Sequence, residues 1–425
     1  MRRTALSLED SLDFAVRALT RLISIPTVAP SGEHYEEAAE TLARYLEELK
    51  FETTVERVPS DYQETRCRGA GTNPRFIVFG WRGDESLPVL HFNGHYDVVP
   101  GGPGWTITDP FKPLVRDGRV YGRGAVDMKG GIAALLGGLK HAELERLEGR
   151  LRVEVAFVPD EEIGGACGTG YLVERMLRRV PDFVFIPEPS GLTTPWIGHR
   201  GVLWLTVKVL GRAAHGSTPW LGVNAFLLAA QLALGLHETL TSLYSSRKSS
   251  YKIVPPEASR PTAMIGGMAG VVGGGKTNQV PGEFAFSIDR RLIPEERVSE
   301  ALDEIKSVLA WLSQKLNIAY ELTVDQAMEP AISDPSTLLE ALRRAAEKAG
   351  IADLDPVVCP GGLDMWYYTT RGSKAIAYGP DSKLAHAPDE NIALDDLEKL
   401  VRIYAALPEM LALVLEESAT RRGKT

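Results

Sequence analysis

The stretch that decides the fold runs from Pro88 to Asp97, with the sequence PVLHFNGHYD. Its apolar first half predicts a buried strand, so His95 should emerge at the carboxyl end, where open α/β sheets place their ligands. Further short apolar runs, Leu151–Val158 and Asp182–Ile186, alternate with helical patterns such as Ser7–Leu22 and Lys129–Leu147. This alternation predicts an α/β fold, with a catalytic α/β/α domain around a central, largely parallel sheet.

The pattern changes near residue 200. Between residues 200 and 325 the predicted elements follow the order β-α-β-β-α-β, which is typical of a compact sandwich with one helical face. Helix and strand alternation then returns, and 425 residues exceed what one hydrophobic core usually organises. We therefore expect a discontinuous catalytic domain, residues 1–199 and 326–425, that carries an inserted domain at 200–325. A helix is also expected over Gly170–Arg179.

Composition narrows the class of protein. Hydrophobic residues make up 44% and charged residues 24% of the chain, as in soluble globular proteins, and the net charge of −9 disfavours nucleic acid as a partner. The N-terminus lacks the apolar core of a signal sequence, and the apolar run Ala225–Leu236 is too short for a membrane span. Cys67, Cys167 and Cys359 are expected to be small buried residues without a disulfide, which suits a reducing cytoplasm.

Five polar sites follow predicted strands or turns. Each has an ordinary explanation by itself: Asp127 could be a helix N-cap, Asp160-Glu161-Glu162 a surface acidic turn, and His95 a satisfied core histidine. Together they supply two imidazoles and three carboxylates, a mixed set suited to Zn²⁺, Co²⁺ or Mn²⁺. Two metal ions fit this number of ligands if one carboxylate bridges them. The candidate ligands are His95, Asp127, Glu162, Glu188 and His386.

The chain resembles the co-catalytic zinc family that includes acetylornithine deacetylase, succinyl-diaminopimelate desuccinylase, aminoacylase and glutamate carboxypeptidase. The similarity extends from Leu22-Ile23-Ser24-Ile25-Pro26 to His386. It implies two zinc ions, with Asp127 as the bridge between them. The resemblance also makes Glu161 the general base and Asp97 the residue that orients His95. One zinc would be held by His95, Asp127 and Glu188, and the other by Asp127, Glu162 and His386.

The same resemblance assigns roles within the inserted domain, as a lid and a dimerisation domain. His215, in Gly211–Ser217, would reach the active site of the partner subunit in a homodimer and stabilise the oxyanion. Asn278 and Arg291 would grip the carboxylate of the substrate, although Arg291 could also be a solvated charge at a strand end. Gly361 and Gly362 resemble a glycine-rich substrate loop. The family's usual Gly-Pro-Gly before the last histidine reads Gly379-Pro380-Asp381 here.

The resemblance implies hydrolysis of an amide bond next to a carboxylate, by a metal-bound water with Glu161 as base. The substrate class expected first is an N-acyl amino acid, as for the deacetylase and desuccinylase of amino-acid biosynthesis. A metallocarboxypeptidase acting on short peptides is the close alternative, and Glu188 is compatible with both. A non-catalytic scaffold is a third reading, which the presence of all five ligands and Glu161 disfavours.

Overall fold

A computed structural model describes residues 7–67 and 69–422. The chain forms two compact units. The first consists of the described residues of Met1–Gly198, Ser333–Val357 and Leu363–Thr425, and the second of His199–Ile332 and Val358–Gly362. The predicted end of the inserted domain, residue 325, lies earlier in the chain than the observed end at Ile332. The last long strand of the second unit continues to Met328, beyond the predicted boundary.

The secondary structure alternates along most of the chain. The helices are α1 (Leu8–Ile23), α2 (Tyr35–Glu48), α3 (Ser60–Arg66), α4 (Lys129–His141), α5 (Ala225–Ser245), α6 (Val298–Leu316), α7 (Ser336–Lys348), α8 (Met365–Thr369) and α9 (Leu394–Arg422). The strands are β1 (Glu52–Arg57), β2 (Phe76–Arg82), β3 (Val89–His95), β4 (Leu114–Arg116), β5 (Arg119–Tyr121), β6 (Arg152–Val158), β7 (Phe183–Ile186), β8 (Trp196–His199), β9 (Gly201–Leu210), β10 (Ala214–His215), β11 (Thr262–Val271), β12 (Gln279–Val280), β13 (Glu283–Leu292), β14 (Ala319–Met328), β15 (Ala331–Ile332), β16 (Val357–Cys359), β17 (Lys374–Ala377) and β18 (Asn391–Ala393).

The main sheet of the first unit is mixed. Its strands run in the order β1-β2-β6-β3-β7-β17-β8. The central pairs β6–β3, β3–β7 and β7–β17 are parallel, while the pairs β1–β2, β2–β6 and β17–β8 are antiparallel. The predicted α/β class is confirmed, but "largely parallel" holds for the middle of the sheet and not for its edges. Strand β1 has a mostly exposed, polar sequence, which is why its pattern gives no strand signal.

Helix α4 is buried along almost its whole length and packs against α1 and α9. Its glycines allow close approach: a Cβ on Gly131 would lie 2.0 Å from the carbonyl oxygen of Pro187. No side chain other than hydrogen fits that space without a shift of the backbone. The beginning of α4, just after Asp127, is thereby held against the segment that carries Glu188.

The second unit contains a four-stranded antiparallel sheet in the order β11-β13-β9-β14. Helix α5 buries Ala229, Leu232, Leu236 and Leu240 in the core of this unit. Its other side exposes large apolar residues, among them Phe226, Leu227, Leu234 and Leu243. The helix has 21 residues and is long and apolar enough to cross a membrane, which corrects the expectation from Ala225–Leu236 alone. One such helix does not establish a span, because helices of soluble proteins meet the same criterion.

Two cysteines depart from the sequence-based expectation. Cys67 and Cys167 form a disulfide, with their Cα atoms 5.5 Å apart, and only Cys359 is a buried thiol. The two partners are 100 residues apart, so no spacing motif reveals the pair. They meet because α3 packs against the turn Ala166–Gly170 around a small apolar cluster. The expectation of three unpaired thiols was wrong, and a cytoplasmic location, which it supported, stays a prediction.

The helix expected over Gly170–Arg179 is also different. The chain forms two short π-helical turns, Ala166–Gly170 and Leu172–Met176, and leaves the helical conformation at Leu177. Gly168 interrupts the first turn with non-helical backbone angles. Glycine tolerates such a conformation, so the apolar spacing alone overestimates the helix.

Candidate metal centre

Three of the candidate segments follow neighbouring strands of the main sheet. His95 is the last residue of β3 and pairs in register with Val158, the last residue of β6. The acidic turn Asp160–Glu162 follows β6, and Glu188 follows β7, which pairs with β3 on its other side. Because these strands are parallel, their carboxyl ends meet at one edge, and the polar side chains converge there.

The other two segments meet through a separate small sheet. Strand β5, which precedes the Asp127 loop, pairs with β18, which follows the His386 loop. Tyr121 lies opposite Asn391 in this pair. The loops that carry Asp127 and His386 are therefore neighbours, although 258 residues lie between these two residues in the chain.

The side chains form two adjoining groups around Asp127. Oδ1 of Asp127 lies 3.2 Å from Nε2 of His95, which is also 3.6 Å from Oε1 of Glu188. Oδ2 of Asp127 lies 3.3 Å from Nε2 of His386, which is 3.1 Å from Oε1 of Glu162. Nitrogen and oxygen ligands about 2.0–2.2 Å from a tetrahedral zinc lie about 3.3–3.6 Å from one another. The donor set and its spacing therefore fit two metal ions that share Asp127.

The carboxylate of Glu161 lies in the first of these groups. Its ligand atom is within 4.8 Å of those of His95 and Glu188. Burial raises the pKa of Glu161 well above its usual value; the positive charge of His95 opposes this shift and the carboxylate of Glu188 adds to it. A raised pKa makes a carboxylate a better proton acceptor, which is what a general base requires.

The pKa shifts of the candidate ligands indicate that the site has too little positive charge to balance its buried carboxylates. Burial raises the pKa of Glu188 well above its usual value, against the influence of His95, and nearby Asp127 raises it further. Hydrogen bonds with Asp127 and Glu162 raise the pKa of His386 to about 10. Clustered carboxylates raise one another's pKa in this way unless a cation balances them. Divalent ions would supply that balance, which is a second respect in which the residues fit metal binding.

Asp97 connects His95 to the acidic turn. The backbone oxygen of Asp97 is 3.1 Å from Nδ1 of His95, and its carboxylate is 3.5 Å away from the same nitrogen. The carboxylate also accepts hydrogen bonds from the backbone N–H groups of Glu161, at 3.2 Å, and Glu162, at 3.1 Å. Asp97 thus contacts the imidazole, as its predicted orienting role requires, and also holds the turn that carries Glu161 and Glu162.

Several supporting residues were not predicted from sequence. Asp160 is buried and accepts from Nε of Arg75 at 2.8 Å and from the hydroxyl of Tyr35 at 3.0 Å. Arg123 and Glu390 form a buried ion pair at 2.6 Å beside the Asp127 and His386 loops. Glu390 follows His386 closely in sequence, so its position offered a signal. Arg123 and Arg75 look like ordinary surface arginines, because nothing local marks them as buried.

The second unit holds His215, Asn278 and Arg291. Nδ1 of exposed His215 accepts from the N–H of Ser217 at 3.1 Å, which leaves Nε2 as the ring nitrogen that can donate. The backbone oxygen of Asn278 accepts from Gly216 at 2.7 Å, which places this exposed asparagine beside the histidine turn. Arg291 is partly buried and donates two hydrogen bonds to Asp289, at 2.7 and 3.0 Å. Its guanidinium therefore has a partner within the unit.

Gly361 and Gly362 also belong to the second unit rather than the first. The N–H of Gly361 lies 3.3 Å from Sγ of Cys359. A Cβ on Gly362 would lie 2.7 Å from Sδ of Met328, so this position favours glycine through packing. A part in substrate binding stays a prediction for both residues.

Comparison with known proteins gives a family match. The family model described as peptidase family M20/M25/M40 matches residues 91–410. The succinyl-diaminopimelate desuccinylase of Pseudomonas syringae pv. syringae is 30% identical over 331 residues, which cover 76% of this chain and 83% of that enzyme.

Solved structures are similar over nearly the whole chain. The M20 family metallo-carboxypeptidase Sso-CP2 from Sulfolobus solfataricus has a TM-score of 0.73 at 22% identity, covering 94% of this chain and 99% of its own. The YXEP protein of Bacillus subtilis, a dinuclear metal-binding peptidase, has a TM-score of 0.66 at 17% identity, covering 96% and 99%. At these identities the likeness establishes the fold.

Proposed function

The chain belongs to the peptidase family M20/M25/M40, and we propose that this metallohydrolase cleaves the amide bond of N-acyl amino acids with two bound divalent ions. The observation that carries the proposal is the position of Asp127, whose two carboxylate oxygens face His95 and His386 separately. A carboxylate in this position can bridge two ions. The dinuclear relative from Bacillus subtilis supports the same number.

His95, Asp127 and Glu188 would hold one ion, and Asp127, Glu162 and His386 the other. Zinc, or cobalt or manganese in its place, would acidify a water molecule and polarise the scissile carbonyl. Glu161 accepts the proton of the attacking water and delivers it to the leaving nitrogen. His215 donates from Nε2 to the oxyanion, and Asn278 with Arg291 binds the carboxylate of the substrate.

Replacing Glu161 with Gln tests the base. The amide keeps the size of the side chain but cannot accept the proton, so turnover should fall by about 100-fold to 10,000-fold. Metal content, measured on the same samples, should stay at two ions per chain. Glu174→Gln is the matched control, because Glu174 is exposed and its carboxylate is hydrogen-bonded to Tyr62 and Arg66.

Two outcomes would revise the assignment. A Glu161→Gln rate near wild type would remove Glu161 from the chemistry. Loss of a metal ion in this variant would place Glu161 among the ligands, a role that its distance from His95 and Glu188 permits.

The substrate class is tested by a panel of N-acetyl-ornithine, N-succinyl-diaminopimelate and blocked dipeptides. The desuccinylase relative at 30% identity favours the N-acyl amino acids. The carboxypeptidase neighbour, at 22% identity, shares the fold. A preference in kcat/KM for the blocked dipeptides would make the protein a carboxypeptidase with the same metals.

We also propose a homodimer in which His215 acts on the partner's substrate. The exposed apolar side of α5 offers a surface for a second copy of the chain, since large apolar patches on soluble proteins mark interaction sites. Mixed dimers of His215→Ala and Glu161→Gln subunits should then regain activity, because one of the two sites has both groups intact. No recovery, once subunit exchange is shown by light scattering and labelled subunits, would contradict the sharing.

A further inference from the structure

Arg123 and Glu390 lie between the two loops that carry Asp127 and His386. Both side chains are buried, at 3% and 0% exposure, and Nη1 of Arg123 is 2.6 Å from Oε2 of Glu390. Burying two charges costs free energy that a single ion pair often fails to recover. Each side chain also makes hydrogen bonds to the backbone of the neighbouring loop.

Glu390, which comes from the His386 loop, binds the backbone of the Asp127 loop. Its Oε1 accepts from the N–H groups of Val126 at 2.8 Å and Asp127 at 3.1 Å. Its Oε2 accepts from the N–H of Gly124 at 3.1 Å in addition to Arg123. The carboxylate of Glu390 therefore holds the backbone at Asp127 in place, and with it the position of the Asp127 side chain.

Arg123, which comes from the Asp127 loop, binds the backbone of the His386 loop. Its guanidinium donates to the carbonyl oxygens of His386 at 3.1 Å and Ala387 at 3.3 Å. It also donates to the carbonyls of Pro100 and Gly101, both at 3.3 Å, in the segment that follows His95 and Asp97. Each member of the pair thus holds the loop that the other comes from.

The His386 side chain needs this support more than the other candidate ligands do. It is 51% exposed, and its backbone adopts a left-handed conformation with φ of 62°. The hydrogen-bond partners of its imidazole are Asp127 and Glu162, which are themselves candidate ligands. Its position therefore depends mainly on the backbone of its loop.

We propose that Arg123 and Glu390 are positioning residues that set the affinity of the ion held by Asp127, Glu162 and His386. The pair keeps Asp127 and His386 at ligand distance, whereas His95 and Glu188 are fixed by the ends of β3 and β7. The inference rests on the proposed two-metal function. It predicts that damage to the pair weakens the second ion more than the first.

The test is a zinc titration of metal-free protein against a competing fluorescent chelator, which gives one dissociation constant per ion. His386→Ala identifies the second ion as the one that this variant loses. In Glu390→Gln, that ion should bind about 10-fold to 100-fold more weakly, as for other residues that orient metal ligands. The first ion should be weakened less, because only Asp127 among its three ligands lies on the loop that Glu390 holds, whereas His95 ends β3 and Glu188 follows β7.

Glu296→Gln is the matched control. Glu296 pairs with buried Arg290 at 2.7 Å and accepts from the backbone N–H of Ile293 at 3.0 Å, but it lies in the second unit. Its replacement should leave both dissociation constants unchanged. A comparable loss in Glu296→Gln would mean that general destabilisation causes the effect.

Arg123→Lys serves if Glu390→Gln does not fold, since lysine keeps the charge but lacks the fork that reaches both Glu390 and the carbonyls. Unchanged affinity for the second ion, or equal loss of both ions, would overturn the positioning role. The wild-type protein is titrated before any variant. If it binds fewer than two ions, the proposed function itself is refuted.

Discussion

The two halves of the candidate metal centre are built differently. His95 and Glu188 are almost fully buried and stand at the ends of neighbouring parallel strands. His386 is half exposed and stands on a loop. Asp127 belongs to both halves, with one oxygen directed to each histidine. One half is thus made by the sheet and the other by contacts between loops.

Because the two halves are built differently, we expect them to contribute differently to the stability of the fold and to the binding of metal. The sheet fixes the first half as part of the protein core, so its geometry is available whenever the main sheet is formed. The second half depends on Arg123, Glu390 and the pairing of β5 with β18. We expect the first half to matter for stability and the second for metal occupancy, and two predictions examine this comparison.

The largest contrast is expected between His95→Ala and His386→Ala in metal-free protein. Removing His95 breaks its buried contacts with Glu188 and Asp127 and leaves Asp127 with half-exposed His386 alone; breaking a buried pair costs about 3–5 kcal/mol of unfolding free energy. Removing exposed His386 should cost no more than about 1 kcal/mol. Urea denaturation in the presence of chelator measures both free energies.

His34→Ala provides the control for histidine removal, because the side chain of His34 is exposed and lies 3.7 Å from Glu37. Equal destabilisation by His95→Ala and His386→Ala would contradict the division into a sheet-built and a loop-built half. A His386→Ala protein that is as stable as wild type but binds one ion fewer would support it most directly.

The sequence predicts the sheet-built half better than the loop-built half. His95 and Glu188 follow short apolar strands, so local pattern and the α/β rule together place them at one edge. The pairing of Arg123 with Glu390 joins residues 267 positions apart, and neither has a local pattern that indicates burial. The Cys67–Cys167 disulfide was missed for the same reason. Such contacts depend on tertiary packing, which periodicity does not encode.

The family resemblance supplied what the pattern could not. It divided the five candidate ligands into two sets that share Asp127, and the structure brings Nε2 of His386 to within 3.3 Å of Asp127. The pattern alone indicates two ions and a bridging carboxylate, but not which carboxylate forms the bridge. The antiparallel strands at the edges of the sheet were not predicted. Strand β1, for example, is polar and carries no alternating apolar signal from which the pattern could indicate a strand.

The smallest effect is expected at Asp389, which holds the solvent side of the His386 loop. Its carboxylate accepts from the N–H groups of Thr106 at 2.9 Å and Ile107 at 3.0 Å, and from the hydroxyl of Thr106 at 2.7 Å. The backbone of Asp389 has φ of 55°, a conformation that asparagine tolerates. Asp389→Asn therefore keeps the turn and one acceptor oxygen while it removes the charge.

Hydrogen bonds at such a partly exposed position contribute little net stability, so their loss should change an equilibrium constant by no more than about 5-fold. We expect Asp389→Asn to weaken the second ion within this limit and to leave the first unchanged, as measured by the same zinc titration. If Asp389→Asn instead weakened the second ion as much as Glu390→Gln, the loop would be held mainly from its solvent side. The buried pair Arg123–Glu390 would then be only one of two equivalent supports of the His386 loop. The affinity of the second ion could then no longer be attributed to buried contacts between the two loops.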